Sequence, residues 1–112
     1  MFIKNCTTGT IVVEYILHAN TFWKRLKGLL GTKVLGVGHG ILITPCNSIH
    51  TFGMNYPIDV LFVDKDHRII KIISQMSSGK LAMAFGSRYV IELPGGTAQQ
   101  TLCGVGDLLG YQ

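Results

Sequence analysis

The run that most limits the fold of this chain is residues 58–63, which read Ile-Asp-Val-Leu-Phe-Val. In a strand, successive side chains point to opposite faces, so residues 58, 60 and 62 share one face and residues 59, 61 and 63 share the other. Both faces are apolar except at Asp59, so the run predicts a strand that is buried on both sides. Asp59 would lose its water there unless hydrogen-bond donors meet its carboxylate.

Short strand patterns, separated by Gly and Pro, make up most of the remaining chain. Residues 11–17 are β-branched and aromatic and follow a Thr-Gly turn, which predicts a hairpin with residues 2–6 as its first arm. The composition of residues 64–66 is typical of a turn between two paired strands. Further strands are predicted at residues 41–43, 48–52, 68–74, 87–93 and 108–109. The pattern favours a mostly β fold, a compact antiparallel sandwich or barrel.

Two segments depart from the strand pattern. Thr21 suits a helix N-cap, apolar residues then recur at helical spacing, and Gly31 suits the end, so a helix is predicted near residues 22–30. A possible short helix near residues 97–102 follows two glycines. On the first helix Arg25 lies on the packed side, where we expect it to pair with a carboxylate such as Glu92 or Asp107.

Composition narrows the class of protein. The 112 residues, 47% hydrophobic and 14% charged, predict a single domain over residues 1–112 that needs no disulfides to fold. No apolar run reaches the roughly 20 residues of a spanning helix, and the N-terminus does not resemble a secretory signal, so no membrane span is expected. Three cysteines without a C-x-x-C pair suit a reducing compartment, which we take to be the cytoplasm. The net charge of +4 is too small to favour nucleic acid as a partner.

Polar and reactive side chains are concentrated just before the buried strand. The predicted ligand-binding residues lie within residues 47–59 and are Asn47, Ser48, His50, Met54 and Asp59. In one interpretation Asp59 is structural and accepts hydrogen bonds that hold the loop at residues 52–56. In another, His50 and Asp59 are candidate catalytic residues that form an acid–base pair lining a pocket.

Other chemistries fit the same segment less well. Cys46 and His50 could form a thiol nucleophile and its base, but four residues of extended chain separate them by about 13 Å. His39, Cys46, His50 and Asp59 have no fixed ligand spacing, so no metal site is predicted. The glycines at 36, 38 and 40 precede a strand rather than a helix, which disfavours a phosphate loop. No cofactor is therefore expected.

Several short motifs, in order, resemble one protein family. They are Arg-Leu-Lys-Gly-Leu-Leu at 25–30, Gly-Ile-Leu-Ile at 40–43, Ser-Ile-His-Thr-Phe-Gly-Met at 48–54, Pro-Ile-Asp-Val at 57–60, Ile-Glu-Leu at 91–93 with Gly96, and Gly-Asp at 106–107. Over residues 25–107 the chain resembles the family called domain of unknown function 192. The resemblance implies a small, mostly β fold with short helices and no established activity. We assign structural roles to Arg25, Gly28, Gly96 and Asp107.

Three functional hypotheses follow from these observations. The leading one is a small binding or accessory module with a polar pocket for an unknown small polar ligand. The second is an enzyme that uses His50 and Asp59 in acid–base chemistry, which requires the two side chains to converge on an open cleft. The third is an interaction domain that binds a protein partner through an edge strand.

Overall fold

The structure, a computed structural model, describes residues 2–19, 35–52, 54 and 56–112. The helix predicted near residues 22–30, with Arg25 and Gly28, lies outside these residues. The described elements are ten strands and one helix: β1 (Ile3–Asn5), β2 (Thr10–Val13), β3 (Tyr15–Ala19), β4 (His39–Ile43), β5 (Ser48–His50), β6 (Ile58–Val63), β7 (Ile69–Met76), β8 (Leu81–Met83), β9 (Tyr89–Pro94), α1 (Thr97–Gln100) and β10 (Leu109–Tyr111). No helix among them is long and apolar enough to cross a membrane.

The strands form three sheets arranged in layers. The central sheet has the order β3-β4-β9-β6-β7, and β6 lies between β9 and β7. A three-stranded sheet, β10-β1-β2, covers one face, and the two-stranded β5–β8 ribbon covers the other. All six residues of β6 are buried, so the strand predicted to be covered on both faces is confirmed. The predicted mostly β class is also confirmed, although the sheets do not close into a barrel.

The alternation of side chains along β6 divides the core into two clusters. Val60 and Phe62 pack on the ribbon side with Ile49 of β5. Leu61 and Val63 pack on the opposite side, which also contains Ala98 of α1 and which we call the α1 side. The central sheet therefore separates two environments, and each candidate residue can be assigned to one of them.

The structure departs from the predicted strands in three places. The strand expected at residues 11–17 ends at Val13, and the chain continues beyond Glu14 into the central sheet as β3. There β3 pairs with β4 in parallel, although antiparallel pairing was predicted. Sequence analysis also missed β8, because three residues between two turns give too short a pattern to identify. The short helix expected near residues 97–102 is present as α1.

Candidate functional site

Asp59 is fully buried, and both of its carboxylate oxygens accept hydrogen bonds from backbone N–H groups. Oδ1 accepts from Gln75 at 2.8 Å, and Oδ2 accepts from Ala98 at 2.8 Å. The pairing register of β7 shifts by one residue opposite Asp59, and Gln75 lies in this bulge with a φ of 54°. The carboxylate therefore serves the extra N–H of the bulge and an unpaired N–H at the start of α1. These two bonds hold β7 and α1, and neither comes from the loop at residues 52–56 that sequence analysis assigned to Asp59.

The central sheet separates Asp59 from the other candidate residues. Asp59 lies opposite Leu93 of the α1 side, whereas Met54 is buried in the ribbon-side cluster. His50 is exposed on β5, where Ile49 points inward to the ribbon-side cluster and His50 points away from it. The structure thus brings Asn47, Ser48 and His50 together at the surface. It does not bring Met54 or Asp59 to them, so His50 and Asp59 do not line a common cleft.

The β5–β8 ribbon turns one row of side chains outward. Ser48 is paired with Met83 and His50 with Leu81, so these four side chains share the outer face, which we call the ribbon face. Ile49 lies on the inner face and packs against the core. Sequence analysis selected half of the ribbon face, Ser48 and His50, and missed the half that comes from β8.

The main chain of β8 has a free outer edge in the part of the chain that the structure describes. Thr51 N–H donates to Lys80 O and Ala84 N–H donates to Asn47 O, so hydrogen-bonded pairs flank β8 at both ends. Because such pairs alternate in antiparallel strands, the N–H and C=O groups of Leu81 and Met83 point away from β5. Met83 O accepts a hydrogen bond from Lys71 Nζ at 2.9 Å, and no described strand pairs with this edge.

Large apolar side chains on and beside the ribbon face are exposed to solvent. Leu81 is 73% exposed, Met83 is 64% exposed and Phe85, in the turn after β8, is fully exposed. Phe52 is also exposed and stacks on His50 with ring centroids 5.3 Å apart. Single exposed apolar residues are common, but clusters of them mark interaction surfaces. These side chains are the functional feature that sequence reasoning missed, because an apolar residue in a short strand is normally assigned to the core.

The charged residues within the two sequence segments that contain the ribbon strands are all Lys or Arg. Residues 70–88 contain Lys71, Lys80 and Arg88 and no Asp or Glu, and residues 44–52 contain neither acidic residues nor Lys or Arg. Lys80 precedes β8, Lys71 reaches its outer edge and Arg88 follows the turn that carries Phe85. All three are exposed. The ribbon face is therefore apolar with a cationic rim.

Two open clefts lie next to each other at the Arg88 end of the ribbon. The larger, of about 490 Å³, is lined by Asp64, Lys65, Asp66, Ile70, Phe85, Gly86, Ser87 and Arg88. The smaller, of about 180 Å³, is lined by Pro45, Cys46, Asn47, Ser87 and Arg88. Of the predicted ligand-binding residues, Asn47 alone lines either of these two clefts.

Two further groups of titratable residues lie away from the ribbon face. Glu92 is buried opposite Ile41 and Val60 on the ribbon side of the central sheet, and burial raises its pKa to about 7. Burial also raises the pKa of Tyr89 to about 12, and its hydroxyl accepts a hydrogen bond from Tyr111 and lies 2.9 Å from His67 Nδ1.

Two of the residues assigned structural roles, Asp107 and Gly96, lie in the described part of the chain. Asp107 Oδ2 accepts from Asn5 Nδ2 and from the backbone N–H of Gly104, both at 2.8 Å. Gly96 precedes α1 with a φ of 93°, which favours glycine. The expected pairing of Arg25 with Glu92 or Asp107 involves a residue outside the described part of the chain.

Sequence analysis considered thiol chemistry at Cys46 and His50, and metal binding by these two residues with His39 and Asp59. Cys46 Sγ donates to Ser48 O at 3.0 Å within the same segment, and the thiol is buried. Among the described residues, no three His, Cys, Asp or Glu side chains are grouped so that they could hold a metal ion.

Comparisons with known proteins agree on one family. The model of DUF192, the domain of unknown function 192 described as "Uncharacterized ACR", matches residues 3–111. The chain is 27% identical over 113 residues to a UPF0127 protein of Thermococcus sibiricus, covering 96% of this chain and 73% of the relative. It is 30% identical over 115 residues to a UPF0127 protein of Thermococcus gammatolerans, covering 97% and 74%.

A solved structure extends the comparison to the fold. The crystal structure of a protein of unknown function from Novosphingobium aromaticivorans superposes with a TM-score of 0.83 and 21% sequence identity, covering 98% of this chain and 82% of the other. At that identity the likeness concerns the fold alone. Because the family model spans nearly the whole chain, this protein belongs to the family of domain of unknown function 192.

Proposed function

We propose that this protein is a protein-interaction module that binds an extended segment of a partner polypeptide along the ribbon face and the outer edge of β8. The observation that carries the proposal is the exposure of Leu81, Met83 and Phe85 beside a strand edge whose main-chain groups pair with no described strand. A strand added to such an edge gains affinity from main-chain hydrogen bonds and specificity from alternate side chains.

The orientation of the β8 main chain supports this mode of binding. Leu81 offers one N–H and one C=O to an incoming strand, and Met83 offers an N–H. Met83 O already accepts from Lys71, so a partner would pair with the other three groups or displace the ammonium. A short contact of this kind suits a transient complex with a dissociation constant of about 1–100 μM.

This proposal replaces the small polar pocket with a polypeptide surface. Asn47, Ser48 and His50 remain binding residues in it, whereas Met54 and Asp59 become supporting residues in the interior. The three free cysteines suit a reducing compartment, so we place the module in the cytoplasm.

The test is selection of a random-peptide display library on the immobilised protein, followed by mapping of the bound site. We expect the enriched peptides to shift the amide NMR signals of Leu81 and Met83 and to slow the exchange of these two N–H groups. Leu81→Asp should weaken binding by about tenfold or more, because it places a charge in the contact. Ile11→Asp, a matched change at an exposed residue of the β10-β1-β2 sheet, should leave affinity within about twofold.

Two results would overturn the proposal. One is enrichment of peptides whose binding shifts signals elsewhere and survives Leu81→Asp. The other is a selection that enriches no peptide while the same library enriches binders on a known peptide-binding control domain.

A further inference from the structure

Resting on the proposed function, we propose that the segment bound at the ribbon is acidic: its apolar side chains pack on Leu81, Met83 and Phe85, and its carboxylates face Lys80, Lys71 and Arg88. The proposal names the partner's chemistry, a polypeptide with Asp or Glu interleaved with apolar residues. It stands on the arrangement of charge around an exposed apolar surface.

The three cations are spaced along the path that an added strand would take. Lys80 lies at one end of β8 and Arg88 lies beyond the other end, where it lines both clefts. Between them, Lys71 Nζ lies at the outer edge, bonded to Met83 O. A segment that pairs with β8 therefore passes all three positive charges, and carboxylates at those points gain complementary contacts while a basic segment is repelled.

Acidic side chains share a cleft with Arg88 at one end of the ribbon, whereas Lys71 and Lys80 line neither cleft. Asp59 and Glu92 are buried, and Asp107 is bonded to Asn5. Asp64 and Asp66 line the larger cleft on the side of the β6–β7 turn. Asp64 Oδ1 accepts the N–H groups of Asp66 and Arg68, which orients the carboxylate but leaves its negative charge in the cleft with Arg88.

The exposed apolar side chains favour a polypeptide over a nucleic acid. A nucleic acid would use the cations for contacts with its phosphates. The side chains of Leu81 and Met83, however, offer no hydrogen bond to a base or a phosphate. Free strand groups between the cations match the main chain of a peptide. An anionic lipid surface shares the charge requirement, so it is included among the outcomes of the test.

The experiment uses three labelled peptides of equal length in which Leu and Val alternate with Glu, Gln or Lys. Fluorescence anisotropy with the whole protein should show the Glu peptide binding about tenfold more tightly than the Gln peptide at low salt. The Lys peptide should bind more weakly than the Gln peptide. Raising the ionic strength to about 0.15 M should narrow the difference between the Glu and Gln peptides.

Matched charge reversals separate this inference from the function on which it rests. Lys80→Glu should weaken binding of the Glu peptide about tenfold and leave the Gln peptide within about twofold. The side chain of Lys80 is exposed, while its main chain is held by Thr51, so the fold should tolerate the change. Lys4→Glu, on β1, makes the same change in net charge away from the ribbon and should leave both affinities within about twofold.

The possible results are distinguishable. Equal affinity for the Glu and Gln peptides, both abolished by Leu81→Asp, would overturn the acidic partner and leave the polypeptide surface standing. Binding to phosphatidylserine vesicles but to none of the peptides would overturn both proposals and identify a lipid surface instead. Loss of Glu-peptide affinity in Lys80→Glu but not in Lys4→Glu supports the inference.

Discussion

On the α1 side of the central sheet, polar side chains bind backbone groups and hold the layers together, whereas on the ribbon side the outermost layer leaves apolar side chains in solvent. Asp59 and Asp107 each accept two hydrogen bonds on or beside the α1 side. On the ribbon face, Leu81 and Met83 are mostly exposed, and their strand edge has no described strand as a partner. The first region therefore has hydrogen bonds that tie the layers together, and the binding that we propose falls to the second.

The two buried carboxyl groups of the central sheet show the same contrast. Asp59, on the α1 side, receives two backbone N–H donors. Glu92, on the ribbon side, has its pKa raised to about 7 by burial. The two hydrogen bonds at Asp59 support the fold, whereas a buried carboxyl whose pKa is raised opposes folding when it is ionised. Substitutions at these two residues should therefore act in opposite directions.

The largest effect is expected from Asp59→Asn. The amide can accept one of the two N–H groups, but its own NH₂ then faces the other, so a buried donor is left without an acceptor. We expect the free energy of unfolding in urea to fall by about 3 kcal/mol. Asp66→Asn, an exposed control, should change it by less than about 0.5 kcal/mol. A loss below about 1 kcal/mol at Asp59 would show that its two bonds do not hold β7 and α1.

The second effect is a dependence of stability on pH that comes from Glu92. Because burial raises its pKa from 4.5 to about 7, the folded state binds more protons than the unfolded state between these values. Its contribution therefore favours folding below about pH 4.5 and is lost as the pH rises to about 7, a loss of about 3 kcal/mol. The variant Glu92→Gln keeps the shape of the protonated form. We expect it to be more stable than the parent protein by less than about 1 kcal/mol at pH 5 and by about 3 kcal/mol at pH 8.

Urea unfolding of both proteins at the two pH values isolates this contribution, because all other residues are the same in the two proteins. A Glu92→Gln variant that is less stable than the parent protein at pH 8 would contradict the expectation. That result would mean that Glu92 is ionised in the folded state and paired with a cation. Sequence analysis named Arg25 as such a cation.

The sequence predicted the interior of this protein better than its surface. The pattern at residues 58–63 required a strand covered on both faces, because apolar side chains in both rows have to leave water. The same alternation places Asp59 on the opposite face from residues 58 and 60. Proximity along the chain nevertheless suggested that Asp59 would meet His50. That prediction failed because the layer to which each residue belongs depends on strand pairing, which no local pattern specifies.

The ribbon face was beyond sequence reasoning for a related reason. Leu81-Ala82-Met83 is short, and its inward residue, Ala82, is less apolar than the two that point outward. Hydrophobic patterns predict burial because most apolar residues are buried. For a strand whose apolar residues are exposed, they therefore predict the wrong face as the buried one. Phe85, in the turn after β8, was missed for the same reason, because an apolar residue is normally assigned to the core. Functional surfaces are where local preference and burial are expected to disagree.

The smallest of the three effects tests how the α1 side is closed next to Asp59. Gly96 adopts a φ of 93° immediately before α1, and an L side chain there is strained whatever space surrounds it. Gly96→Ala should therefore lower the free energy of unfolding by about 1 kcal/mol. Gly104→Ala is the matched control, because its added Cβ would meet Asp107 at an ordinary 3.6 Å, and it should change stability by less than about 0.5 kcal/mol. Equal losses in the two variants would contradict this expectation. They would mean that backbone strain does not make Gly96 more sensitive to substitution than Gly104.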